Sequence, residues 1–319
     1  MKTGILTFHN APNYGAVLQA FASVRLLQSM GHEAFVLDYR NGAVSSSGSP
    51  YYWDRGRFKK EGLRYLLKYP LLVTARLKRT RAFNRFIRQR LPLCPCSEAS
   101  GLDLLLVGSD QVWNKQITGG RDPFYFGERF PQVRKVAWAA SAGKTVPDKD
   151  DIELISRNFA AVSVRECSLS EQIPGNTLLS DPTLMLSAVQ WRELVHHVGG
   201  KYLLAYPMLF EEEVMATARS KARELNLELK VLSPSVRLGS ASIQAASPED
   251  FLSLIDSASY VVTSSFHGAV FSLLFERPHT FVYHDDPRFD TLLSADIPGM
   301  AARAKEFLAG VAPLSLDTL

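Results

Sequence analysis

The sequence predicts an α/β chain of two Rossmann-like domains facing across a cleft. Three observations carry that prediction. The chain has 319 residues, more than one domain of roughly 100–200 residues accounts for. Short apolar runs of strand length alternate with longer amphipathic stretches, the pattern of a doubly wound parallel sheet. That alternation pauses at Asp181-Pro182-Thr183 and then begins again. The expected domains are therefore 1–185, carrying a basic helical insertion at about 55–90, and 186–319.

Lys2–Phe8 reads as a buried first strand, and His9–Gly15 as a loop punctuated by Pro and Gly. In Ala16–Met30, Val17, Ala20, Phe21, Val24 and Leu27 recur at helical spacing, with Gly31 as the stop. Glu33–Leu37 is a second strand. Asn41–Pro50, rich in Gly and Ser, reads as a loop, followed by a basic helical stretch to about Arg90. Leu102–Val107, Lys135–Ala140 and Ala160–Val164 complete the strands of the first half. In the second half, Tyr202–Tyr206, Glu228–Leu232, Ser259–Thr263 and His279–Tyr283 read as strands. Helices are expected at Glu211–Asn226, after the Ser247-Pro248-Glu249-Asp250 start signal, and over Gly268–Phe275.

Composition excludes several classes. With 46% of residues apolar, the chain is neither disordered nor fibrous. The apolar stretch at the N-terminus is too short for a signal-peptide core. The longest apolar run, around Tyr260–Phe275, is broken by Ser264, Ser265 and His267, which makes it a poor bilayer span. A cytoplasmic protein is expected. Cys94, Cys96 and Cys167 cannot build a disulfide framework, and Cys94-Pro95-Cys96 lacks the four ligands of a structural zinc site. No metal is expected.

The net charge of +4 comes from one segment. Residues 55–90 hold thirteen Lys/Arg and a single acid, Glu61, leaving 23 basic and 31 acidic residues elsewhere. Phe83, Phe86 and Ile87 fall on one helical face, so this stretch reads either as a helix with a solvated basic side or as a contact for an anionic membrane or a lipid-diphosphate sugar. No recognition motif supports nucleic acid.

In doubly wound sheets ligands gather beyond the carboxyl ends of strands, and four segments lie there. Thr263-Ser264-Ser265-Phe266-His267-Gly268 joins a strand to a helix start. Backbone N–H groups, the Ser264 and Ser265 hydroxyls and the open Gly268 backbone together make an anion site. His267 there can donate a proton near neutral pH, although the same pattern also describes a plain helix cap with a structural histidine. Arg165, after a strand, can clamp a phosphate bidentately or pair with Glu166 or another acid. Gly108-Ser109-Asp110-Gln111-Val112-Trp113-Asn114 unites a carboxylate, amides and an indole, either to hold a sugar or as a turn anchored by a buried Trp. Asn13 and Gly15, at the first helix, present backbone N–H groups. That loop is neither the dinucleotide glycine pattern nor a P-loop, which disfavours NAD or P-loop ATP chemistry.

Taken in order, several motifs together resemble the polysaccharide pyruvyl transferase family. They are Asn10–Gln19, Asp103–Asn114, Ser163-Val164-Arg165-Glu166, Asp181-Pro182-Thr183-Leu184, Ser264–Gly268 and Arg288–Leu292. Where many members carry Asp after the first-loop glycine, this chain has Ala16. The resemblance implies a GT-B-like fold, phosphoenolpyruvate as donor substrate with no cofactor, and a sugar acceptor that is free, nucleotide-linked or lipid-linked. It implies His267 as acid/base, Arg165 on the donor phosphate and Asp110 as the acid of the catalytic cleft. Ser109, Gln111, Trp113, Asn13, Gly15, Ser264, Ser265, Gly268 and Arg288 are the expected substrate contacts. A nucleotide-sugar glycosyltransferase of similar fold and a catalytically silent sugar- or lipid-binding protein remain the alternatives.

Overall fold

The computed structural model describes residues 1–233, 242–284, 288–289, 292 and 297–311, without the side chains of residues 57, 297 and 298. Its elements run β1 (Lys2–Leu6), α1 (Tyr14–Ser29), β2 (Glu33–Leu37), α2 (Gly42–Ser47), α3 (Arg55–Glu61), α4 (Leu63–Arg90), β3 (Leu93–Cys94), β4 (Leu104–Val107) and α5 (Lys115–Thr118). They continue through β5 (Arg134–Ala140), α6 (Lys149–Asn158), β6 (Ala161–Val164), α7 (Cys167–Ser170), β7 (Thr177–Leu178), α8 (Ala188–Arg192), β8 (Tyr202–Tyr206) and α9 (Glu211–Glu224). The last are β9 (Glu228–Leu232), β10 (Ser242–Ile243), α10 (Pro248–Asp256), β11 (Tyr260–Thr263), α11 (Phe266–Leu274), β12 (His279–Phe281) and α12 (Ile297–Val311).

The chain packs as two compact units. One comprises Met1–Ser45, Ile87–Leu186 and the described residues after 286, and the other Ser46–Phe86 and Ser187–Asp285. Sequence reading placed 55–90 inside a contiguous first domain. In the structure most of that stretch groups with the second unit, while α12 belongs to the first. Helical periodicity reports which face of a helix is apolar, not which core receives it.

The first unit holds a seven-stranded sheet in the order β3-β2-β1-β4-β5-β6-β7, with every pairing parallel. The second holds five parallel strands in the order β10-β9-β8-β11-β12. Each order reverses direction once, between β1 and β4 and between β8 and β11, and the connections leave those strands toward opposite edges. Central strands are buried along their length: β4 (Leu-Leu-Leu-Val) and β8 (Tyr-Leu-Leu-Ala-Tyr) show no exposed position, as strands covered on both faces require.

Local chemistry sets the helix starts. Asn13 caps α1 through its side-chain oxygen, and Asp148 and Ser247 form reciprocal capping boxes on α6 and α10. The Asn41–Pro50 segment, expected as a loop, contains α2. There the Asn41 side chain accepts the Val44 N–H at 3.0 Å and donates to Asp122 at 2.7 Å, and the contact with Asp122 is one that no local pattern announces. In the second unit, Trp191, Phe251 and Phe271 pack edge to face and anchor α8, α10 and α11 together.

Candidate active site

At the β1/β4 reversal of the first unit, the loops after β4, β5, β6 and β7 converge on one guanidinium. Arg165 follows β6 and is 2% exposed. Its Nη2 lies 3.2 Å from Asp110 Oδ1, and its Nε lies 3.7 Å from Glu166 Oε1. Its Nη1 donates to Asp181 Oδ2 and reaches Ser109 Oγ at 3.5 Å. Burial alone favours the neutral guanidine, but Asp181, Asp110 and Glu166 outweigh it and hold the Arg165 charge more firmly than usual.

Each carboxylate is fixed in turn. Asp181 Oδ1 accepts from the Thr183 N–H at 2.9 Å and its hydroxyl at 2.6 Å. Glu166 Oε1 accepts from the Ser141 hydroxyl. Glu166 Oε2 is buried and accepts no hydrogen bond among the described residues. Burial pushes the Glu166 carboxyl above its ordinary range, although Arg165, Ser141, Arg288 and the Gly143 amide oppose the shift. Asp110 sits at φ 54° in the left-handed region, a conformation that costs a non-glycine residue energy and recurs at functional sites. The preceding turn is tied down by Gln19, whose amide donates to Thr7 Oγ1 at 2.7 Å while its carbonyl oxygen accepts the Ser109 N–H at 3.4 Å.

The sequence-expected residues divide accordingly. Asp110, Ser109 and Arg165 come together, and Arg288, half-buried in the same unit, acts on Glu166 through its charge. Trp113 does not offer a sugar platform. It is 1% exposed, donates to the Tyr125 carbonyl at 2.9 Å and packs with Phe126 and Phe159, because a large indole gains more from core burial than from a wet rim. Gln111 accepts from Asn114 Nδ2 at 2.7 Å, and Asn114 caps α5. Asn13 is exposed and spends its side-chain oxygen on the α1 cap, while Gly15 is buried in that helix's first turn. Within the Arg288–Leu292 motif, residues 290 and 291 lie outside the described residues.

The corresponding reversal of the second unit carries no buried charged cluster among the described residues; its ion pair, His284 with Glu213 at 3.0 Å, is exposed. The helix begins at Phe266, two residues before the expected Gly268, with Ser265 as its N-cap: Ser265 Oγ accepts the Gly268 N–H at 3.3 Å. Ser264 Oγ accepts from the Met208 and Leu209 amides at 3.1 and 2.9 Å and donates to the Leu209 carbonyl at 2.5 Å. Both hydroxyls, expected as ligand donors, thus bind their own chain. Gly268 was expected to admit a ligand, but a Cβ there would lie 2.6 Å from Thr263 Oγ1 and 3.1 Å from Tyr206 Cδ1. It is a glycine because α11 packs closely on β8 and β11. His267, 8% exposed in the first turn of α11, stands edge to face with Phe266 at 5.1 Å.

Sequence reasoning placed Asp181 and Glu166 within family-like motifs but named neither as a site residue, and gave Glu166 only as one acid that could pair with Arg165. The available signal was positional, since both follow strands of the same sheet beside other polar residues. Among the described residues, no group of three or more His, Cys, Asp or Glu side chains is arranged to hold a metal.

Comparison with known proteins places the chain in a family. The family model for polysaccharide pyruvyl transferase matches residues 13–286. Among solved structures, a putative UDP-N-acetylglucosamine 2-epimerase from Listeria monocytogenes aligns at 12% identity and a TM-score of 0.50, over 97% of this chain and 88% of that one. The UDP-GlcNAc 2-epimerase of Methanocaldococcus jannaschii aligns at 9% identity and 0.49, over 96% and 92%. The glycosyltransferase SsfS6 of Streptomyces sp. SF2575 aligns at 16% and 0.41, over 96% and 91%. At such identities the Listeria likeness speaks to the fold alone, and agrees with two Rossmann-like, GT-B-like halves. No curated protein matches the chain.

Proposed function

The chain belongs to the polysaccharide pyruvyl transferase family, and from that premise we propose that it transfers the pyruvyl group of phosphoenolpyruvate to two hydroxyls of a sugar, in a polysaccharide or its precursor, forming a ketal and releasing phosphate. The observation that carries the reading within this chain is the buried Asp110–Arg165–Glu166–Asp181 cluster at the strand ends of the first unit. Holding three carboxylates around one cation is costly, and an apolar core of similar volume is often at least as stable. Such a cluster makes sense where a carboxylate must be kept charged and aimed.

His267 gives a proton to C3 of the enol phosphate, and C2 becomes electrophilic. One sugar hydroxyl adds to C2 and passes its proton to Asp110, which balances the proton given by His267. The neighbouring hydroxyl then displaces phosphate from C2 and closes the ring, and its proton departs with the phosphate. No cofactor enters this scheme.

Our reading differs from the family resemblance in one assignment. The Arg165 guanidinium is already engaged by Asp110, Asp181 and Glu166, and a phosphate dianion brought to it would face those same carboxylates. In our reading Arg165 positions Asp110, and the half-buried Arg288 takes the donor phosphate.

A thermal-shift titration tests this. Phosphoenolpyruvate at 100 times its dissociation constant should stabilise the fold by about 2.7 kcal/mol, and Arg288→Gln should abolish that ligand-induced shift, measured against the variant's own ligand-free Tm. A shift with a sugar nucleotide and none with phosphoenolpyruvate would replace the proposal with glycosyl transfer.

A further inference from the structure

Helix α4 has two apolar faces where a surface helix ordinarily has one. Tyr65, Leu72, Phe83 and Phe86 are buried on one side. On the other, Leu63, Leu66, Leu67 and Leu71 recur at three- and four-residue steps and are 70%, 49%, 72% and 63% exposed. Beside them the preceding segment is pinned to the helix: Tyr69 donates to the Tyr51 carbonyl at 2.9 Å and Arg76 to the Tyr52 carbonyl at 2.6 Å. The Tyr51 and Tyr52 rings are exposed. Nothing among the described residues covers the leucines. Contiguous apolar surface of this kind marks an interaction site.

Charge identifies the occupant. At 100° per residue, Lys78, Arg81 and Arg85 continue the leucine face toward the helix C-terminus, and all three are exposed, as are Arg64 beside it and Lys59 and Lys60 on α3. The only acid in residues 55–90 is Glu61. A second copy docking by this face would set the same basic residues against each other, because a two-fold contact is self-complementary. A surface that accepts leucines, tyrosines and cations together has an apolar interior and an anionic rim. We propose that the first half of α4 lies in the interface of an anionic lipid bilayer, with Leu63, Leu66, Leu67 and Leu71 in the acyl region, Tyr51 and Tyr52 at headgroup level, and Lys78, Arg81 and Arg85 on lipid phosphates. Among the described residues, no helix is long and apolar enough to cross the membrane, so the contact is peripheral. It is independent of the pyruvyl-transfer reading and stands or falls separately.

Flotation of the full chain with phosphatidylcholine vesicles, with and without phosphatidylglycerol, tests it. The intact chain should float only with the anionic vesicles and should be released by high salt. The combined change Leu63→Gln, Leu66→Gln, Leu67→Gln, Leu71→Gln should weaken binding by about tenfold or more with no fall in Tm, since these side chains are exposed. Lys78→Glu with Arg81→Glu and Arg85→Glu should do the same through charge alone. Failure to float with phosphatidylglycerol vesicles would overturn the proposal, as would undiminished binding by the leucine variant. So would light scattering that shows a dimer converted to monomer by the leucine changes, since those residues would then cover a second copy.

Discussion

The two sheets share a strand order and a single point of reversal, yet the chemistry at those two points is opposite. Beyond β4–β7 the strand ends close over four buried charged residues, with Arg165 at the centre. Beyond β11 the strand end runs into a helix through hydroxyl caps and a glycine contact, and His267 is the only titratable side chain of that turn. One unit invests in electrostatics and the other in close packing. Equivalent topological positions therefore do not carry equivalent devices, and each half tolerates a different kind of damage.

The largest expected effect is at the charged end. Arg165→Ala leaves Asp110, Asp181 and Glu166 buried without their shared cation and should cost about 3–5 kcal/mol, read as a shift in the denaturant midpoint. A loss no greater than that of an ordinary surface substitution would break the contrast. At the packed end, Gly268→Ala places a methyl against Thr263 and Tyr206 and should cost roughly 1–3 kcal/mol. Unchanged stability would mean that α11 moves easily and that Gly268 is kept for something other than packing.

The smallest effect sharpens the electrostatic side. Burial raises the Glu166 carboxyl, so the folded state holds that proton more tightly than the unfolded chain. The wild type should lose stability as pH rises from the ordinary glutamate range through the raised folded value. Glu166→Gln does not titrate. Its stability relative to wild type should therefore increase with pH across that window, measured as the difference in Tm between acidic and neutral buffers. A difference that stays flat with pH would mean that Arg165 and Ser141 fully compensate the burial.

Much of the fold was legible because it is local. The apolar runs at Leu102–Val107 and Tyr202–Tyr206 read as strands, and they hold β4 from Leu104 and all of β8, both buried. The Ser247–Asp250 start signal is a capping box on α10, and Phe83, Phe86 and Ile87 are the buried face of α4. The site was legible only in outline. Asp110, Ser109 and Arg165 meet, but the directions of Trp113, Ser264 and Gly268 were misjudged, because the same residue types suit a ligand or a neighbouring strand equally well.

The sequence by itself determined the alternation of strands and helices, the polar loops at strand ends and the concentration of positive charge in residues 55–90. Each follows from side-chain period and composition within a few residues. Only the tertiary structure decided that Asp181 and Asp110 share Arg165 across 16 and 55 residues, that the first part of α4 belongs with the second unit, and that four leucines of that helix face outward. Those outcomes depend on which distant surfaces bury one another, and the apolar pattern of a segment names its face without naming its partner.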